Sequence, residues 1–287
     1  MGMRTLTLDE LTIDDERSLG GVALYQRLKQ SLRRSGHRFQ IPLAGEQASW
    51  DRVLFLNLTY WSGGEQAADV LCDEHIPADV VAHVAWHALA SRELGRLAGG
   101  SSGGSSSGAS SGSSAATPTA EALFFSEAIA SAFDLYLVGR LLETQPESDF
   151  IATQLPPMSE CAQEAGLSEE AFAALMTGVA GDPERAFEDL RALLWDAATA
   201  LFACDGAAAA QAVLENLAGR RFAPLLHHYQ LSNWILYGRA YAAASVGAGA
   251  AADVDVDVDV RALDETLRRA PVSLEWLAEH WIDGDVR

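Results

Sequence analysis

Residues 99–118 of this 287-residue chain read GGSSGGSSSGASSGSSAATP. Such a run buries too little apolar surface to offset the entropy of ordering it, so it has the composition of a linker. The chain must therefore fold from what flanks it. Residues 1–98 form an N-terminal α+β part, 99–118 a disordered insertion, and 119–287 a helical part. The flanking parts are expected to close into one continuous domain. The tract contains a formal G-x-S-x-G at Gly108–Gly112. A nucleophile elbow needs a strand before it and a helix after it, so this match is coincidence.

Before the tract, residues 4–12 alternate loosely and read as a short strand or an extended lead-in. Residues 14–35 repeat Leu19, Val22, Tyr25, Leu28 and Leu32 at helical spacing, with acids at the start and Gly36 at the stop. Residues 38–43 and 52–60 read as strands. From Pro77 a helix is expected to about Leu97, since proline suits a first turn. After the tract, AEALFFSEAIASAFDLYLVGRLLE is a heavily apolar central helix. Residues 145–160, with Pro146, Pro156 and Pro157, read as a connecting loop. Helices follow over 168–178, 183–204, 207–218, 222–245, 261–270 and 273–282. Asp253 to Val260, DVDVDVDV, alternates with period two and reads as a solvated loop or edge strand. Evenly spaced aspartates on a strand do not converge on one point, as a calcium loop must. The fold class is α+β and predominantly helical.

Apolar residues make up 49% of the chain, enough for a substantial core, and no apolar run reaches the ~18–20 residues that span a bilayer. The N-terminus lacks the apolar stretch of a signal peptide. A formal charge of −20 disfavours nucleic acid and anionic membrane as partners, because both need basic patches. Cys72, Cys161 and Cys204 are odd in number, lack C-x-x-C spacing and read as reduced thiols. These features point to the cytoplasm.

The chemistry lies in the helix that begins at Pro77. His83 and His87 in HVAWH are four residues apart, on one helical face, with Cβ atoms roughly 5–6 Å apart. Two imidazoles so placed can meet one metal ion. A third ligand must come from elsewhere, and Glu127 in FSEAIA is the best candidate. An unpaired carboxylate between Phe125 and Ile129 would be costly to bury, and an ion would satisfy it. So would an arginine such as Arg92 or Arg96, and an HxxxH pair in an Ala-rich helix also occurs as ordinary core histidines.

Together HVAWH and SEAIA resemble the paired motifs of the gluzincin metallopeptidases, H-E-x-x-H on one helix and a glutamate motif such as N-E-x-x-A on the next. The resemblance covers roughly residues 50–140. It implies a zinc site of His83, His87 and Glu127; two His and one carboxylate with open positions also suit iron(II). It also implies a loss: in the family the residue after the first His activates water, and here that residue is Val84. Ser126 stands where the family has Asn. Asp134, seven residues after Glu127 on the same face, is placed to orient a ligand histidine by accepting its free N–H. Asp73, Glu74, His75 and Glu121 are the other acids or bases near the motifs.

Three functions are compatible with these residues. One is a zincin-like metal-binding protein in which Val84 disfavours ordinary peptidase hydrolysis. A second is a mononuclear non-haem iron oxygenase acting on a peptide or small-molecule substrate with a co-substrate such as 2-oxoglutarate. An arginine would then clamp the co-substrate, with Arg92, Arg96 and Arg140 as candidates. A third is a non-catalytic helical interaction protein. His227 and His228 point about 100° apart on a helix and suit a core or surface role, or the lining of a pocket with Tyr229 and Trp234. His37 and His280 fall near element ends and carry no signal.

Overall fold

The computed structural model describes residues 2–43, 69–100, 119–248 and 253–284. The strand expected over 52–60 and most of the Gly/Ser tract lie outside these. Among the described residues the N-terminal part carries two small sheets. Strand β1 (Met3–Thr7) pairs antiparallel with β3 (Arg38–Pro42), Met3 opposite Pro42, and β3 pairs parallel with β4 (Asp69–Val70). Strand β2 (Thr12–Asp14) pairs parallel with β5 (His75–Pro77).

The single helix expected over 14–35 is divided. Thr12–Asp14 is strand, α1 spans only Glu16–Leu19, and α2 spans Ala23–Ser35. Gly20 and Gly21 separate the two helices, and two adjacent glycines favour a break where helix propensity is lowest. Helix α2 buries Leu24, Tyr25, Leu28 and Leu32 and ends at Gly36, whose φ of 68° is the left-handed cap a glycine adopts without cost.

Helix α3 (Ala78–Gly100) follows β5 directly, and α4 (Ala120–Leu142) starts after the Gly/Ser tract. Thr119 caps α4, its side chain accepting from the Ala122 amide at 3.1 Å. Helix α4 is apolar almost all round, as a helix enclosed on every side must be. By length and composition it could cross a membrane, although the sequence suggested no such run. Yet 89% of its most apolar window is buried inside the fold, which makes it the core helix. Packed against it are α3, α6 (Glu169–Gly181), α7 (Pro183–Phe202) and α9 (Leu231–Ala248). One buried cluster runs from Leu8 to Ile282 and joins residues from both sides of the tract.

Three further expectations are corrected. The loop proposed over 145–160 is mostly helix: α5 spans Asp149–Glu164, with Pro156 and Pro157 inside it. Both prolines are exposed, as are Ala152 and Thr153, whose carbonyls lose their i+4 donors. Water satisfies carbonyls on a solvent face, while Ile151, Met158 and Ala162 hold the other face in the core. The alternating tract is neither loop nor strand but the start of α10 (Asp253–Arg269). Val260, Asp264 and Leu267 are buried, so helical spacing along its later turns governs the whole element. The helix expected over 222–245 begins only at Leu231. Before it come a 3₁₀ turn (Ala223–Leu225) and Gln230 at φ 49°. The chain ends in α8 (Ala207–Leu217), α9, α10, α11 (Ser273–Leu277) and a π-helical turn at Ala278–Ile282.

Candidate metal centre

Helices α3 and α4 run antiparallel, since His83 lies opposite Asp134 and His87 opposite Ser126. That arrangement brings Glu127 between the two histidines. Its Oε2 lies 3.9 Å from His83 Nε2 and 3.7 Å from His87 Nε2. The two rings are 4.9 Å apart at their centroids and tilted by 56°. One ligand atom from each of the three residues lies within 4.8 Å of the others. Ligands bound to one tetrahedral ion at ~2.0–2.2 Å stand about 3.3–3.5 Å apart. The two Glu127 distances exceed this by a few tenths of an ångström. All three side chains keep a minor part of their surface open, 17% for Glu127 and 20–30% for the rings, so the set can be reached from solvent.

The far side of each ring is also held. His83 Nδ1 lies 3.2 Å from Asp134 Oδ2, and His87 Nδ1 lies 2.7 Å from Ser126 Oγ. With Nδ1 turned to these partners, both Nε2 atoms face Glu127. A carboxylate or hydroxyl behind a ligand imidazole fixes the tautomer and the ring plane in this way. Asp134 stands where the sequence put it. Ser126 is an addition: the sequence marked it only as a departure from the asparagine of the resembling motif. As a nucleophile Ser126 has no support, because it is buried mid-helix where neighbouring amides are spent in the helical ladder.

The electrostatics match the geometry. Burial raises the Glu127 carboxyl, offset in part by His83. Burial alone would lower His83, but the charge and hydrogen bond of Asp134, with Glu127 and Asp79, raise it above the ordinary imidazole value. Burial and the neighbouring His83 push His87 well down, against a small opposing pull from Asp69. Of the two rings, His83 is therefore the one that holds a second proton more readily, with Asp134, Glu127 and Asp79 acting on it. Asp79, on the first turn of α3, is pushed up to about 6 by burial and by the charge of Asp134.

Other residues singled out by the sequence lie elsewhere or are engaged. Val84 is 8% exposed and belongs to the core cluster, so position 84 offers no proton acceptor. Glu121 is bound by Arg261, with Nε to Oε2 at 2.8 Å. Glu74 pairs with Arg4, and His75 bonds Asp14 at 2.9 Å and, through its amide, Asp73. Cys72 is not in the cluster. The three arginines considered as clamps face other partners: Arg92 meets Glu93 and the Trp281 carbonyl, Arg96 meets Glu93, and Arg140 meets Glu184. His228 and Tyr229, by contrast, lie close enough to Asp134 to feel its charge. No family model, curated protein or solved structure matches this chain, so the gluzincin likeness stands on the paired motifs alone.

Proposed function

We propose that the chain binds one divalent transition-metal ion, zinc or iron(II), through His83 Nε2, His87 Nε2 and Glu127, as a zincin-like protein of the cytoplasm. The observation that carries this reading is the paired orientation of the rings. Both present Nε2 to one carboxylate oxygen, and both are backed at Nδ1 by a residue of α4. Ordinary core histidines need no such convergence, and a largely covered carboxylate 3.7–3.9 Å from two imidazoles makes no short hydrogen bond to either. An ion would supply what is missing. Two imidazoles and a carboxylate suit zinc or iron, and three protein ligands leave positions for water or substrate.

Hydrolysis by a glutamate at position 84 is disfavoured, because Val84 cannot hold a proton. The oxygenase reading uses the same three ligands. The acids Asp69, Asp79 and Asp134 around the histidines, and the engagement of Arg92, Arg96 and Arg140, give a dicarboxylate co-substrate little to bind, so zinc is the first expectation. The test is metal analysis of wild-type protein beside Glu127→Ala. About one equivalent in wild type and under a tenth in the variant supports the reading. Equal, substoichiometric metal in both would overturn it.

A further inference from the structure

Independently of the metal site, we propose that the groove between α10 and α11 receives an arginine side chain from a basic peptide segment of a partner protein, with Trp276 as the stacking platform and Glu275 and Glu279 as the counter-charges.

The groove forms where the chain bends. Helix α10 ends at Arg269, Pro271 and Val272 turn the chain, and α11 begins at Ser273. An open cavity of about 440 Å³ lies along this bend. Pro271, Val272 and Trp276 supply its apolar lining, and Arg269, Glu275 and Glu279 supply its charges.

Trp276 is set in place before any ligand arrives. Its ring stacks on His280, at 4.1 Å between centroids and 11° between planes. His280 Nδ1 donates to the Trp276 carbonyl at 2.8 Å, which holds the two rings together. The cavity is lined by Trp276 and not by His280, so it meets the indole away from the histidine. The backbone behind is anchored as well. The Ala278 carbonyl accepts from Arg27 of α2 at 3.2 Å, and the Trp281 carbonyl accepts from Arg92 of α3. A platform fixed in advance loses little freedom on binding. Glu279 and His280 also sit in the π-helical turn, where the Asp283 amide donates to the Ala278 carbonyl at 3.1 Å. Such turns are rare and recur at functional sites.

The charges select the ligand. Glu275 and Glu279 are exposed, and both line the cavity. Among the described residues neither carboxylate has a hydrogen bond or an ion pair. Like charges four residues apart repel, and a cation between them removes that cost. Arg269 cannot serve, because its guanidinium is held by Glu265 at 2.7 Å. The face of an indole attracts a cation through its quadrupole. A guanidinium is planar, so it can lie on Trp276 while N–H groups at its edge reach the carboxylates. An ammonium has no flat face to stack. Pro271 and Val272 suit an apolar neighbour of the arginine, which favours a peptide over a small free cation. The formal charge of −20 draws a basic partner to the surface.

The experiment uses the full chain, isotope-labelled at its seven tryptophan indoles, with acetyl-Leu-Arg-amide as probe. Trp276→Phe identifies the Trp276 signal in the NMR spectrum. That signal is expected to shift saturably as the peptide is added. The citrulline peptide, equal in shape but uncharged, is expected to leave it unmoved, and the lysine peptide to bind more weakly. Glu275→Gln and Glu279→Gln each weaken binding about threefold, and the double variant about tenfold, as exposed charge pairs do. No movement of the Trp276 signal overturns the inference. So does an equal response to the citrulline peptide, or wild-type affinity in a double variant whose other indole signals are unchanged. Self-association of the free protein that is lost in the double variant would assign the groove to a second copy of the chain, and overturns it too.

Discussion

Ser126 and Asp134 hold the two histidines at Nδ1, which is what the proposed metal site would need of them. Without an acceptor at Nδ1, each ring can rotate or carry its proton on the wrong nitrogen. Outer partners of this kind are typically worth 10–100-fold in metal affinity. Ser126→Ala and Asp134→Asn are each expected to weaken zinc binding by about that factor, while His83→Ala and Glu127→Ala abolish it. Competition titration against a chromophoric chelator reads all four. Val84 gives a contrasting case. From sequence alone, Val84→Glu looks like the repair of a damaged peptidase. The structure places that side chain among core residues at 8% exposure. A glutamate there is expected to cost roughly 3 kcal/mol or more, because the site offers apolar neighbours to a carboxylate. Chemical denaturation should show the loss, and a peptide-cleavage assay should show no gain.

At the scale of elements, the site is a product of one helix hairpin and what presses on it. Helix α4 must lie close to α6, and Gly139 makes this feasible: a Cβ there would stand 2.8 Å from the Val179 carbonyl oxygen. Backbone cannot yield as a side-chain tip can. Gly139→Ala is therefore expected to destabilise the fold by about 1–3 kcal/mol despite its better helix propensity. A urea midpoint lowered at unchanged slope would show it. The hairpin itself was legible in the sequence. HVAWH and SEAIA carry helical spacing, apolar surroundings and polar residues that have nowhere else to go. What was not legible had physical reasons. The prolines of α5 argue for a loop unless it is known that their side of the helix faces water. The aspartate–valine alternation of α10 has the period of a strand, and only the burial of Val260 and Leu267 on neighbouring helices overrides it. His37 Nε2 lies 2.7 Å from Asp69 Oδ2, but the two stand 32 residues apart, so no local spacing could announce the contact.

For the molecule as a whole, the acidic balance acts on the fold through the same site. The chain carries a formal −20, and Asp79, Asp134 and Glu127 gather around His83. In the metal-free protein Asp79 ionises near pH 6 when folded, against 3.8 as its ordinary value. Below pH 4 the group is protonated in both states and costs nothing. As pH rises from about 4 to about 6, the unfolded chain gives up this proton while the folded chain keeps it. Stability therefore falls through that window, and the deficit persists above it. At about 1.4 kcal/mol per pH unit the full deficit approaches about 3 kcal/mol, and partial exposure of the side chain reduces it to about 1–2 kcal/mol. Asp79→Asn removes the ionisation and keeps the shape. In chelator-treated protein this variant should match wild type at pH 3.5 and exceed it at pH 7.5, measured by denaturant unfolding at both values. A divalent cation at His83, His87 and Glu127 would lessen the same repulsion, so the advantage of Asp79→Asn should shrink once zinc is added. If it is undiminished by saturating zinc, the acids around His83 do not sense an ion there.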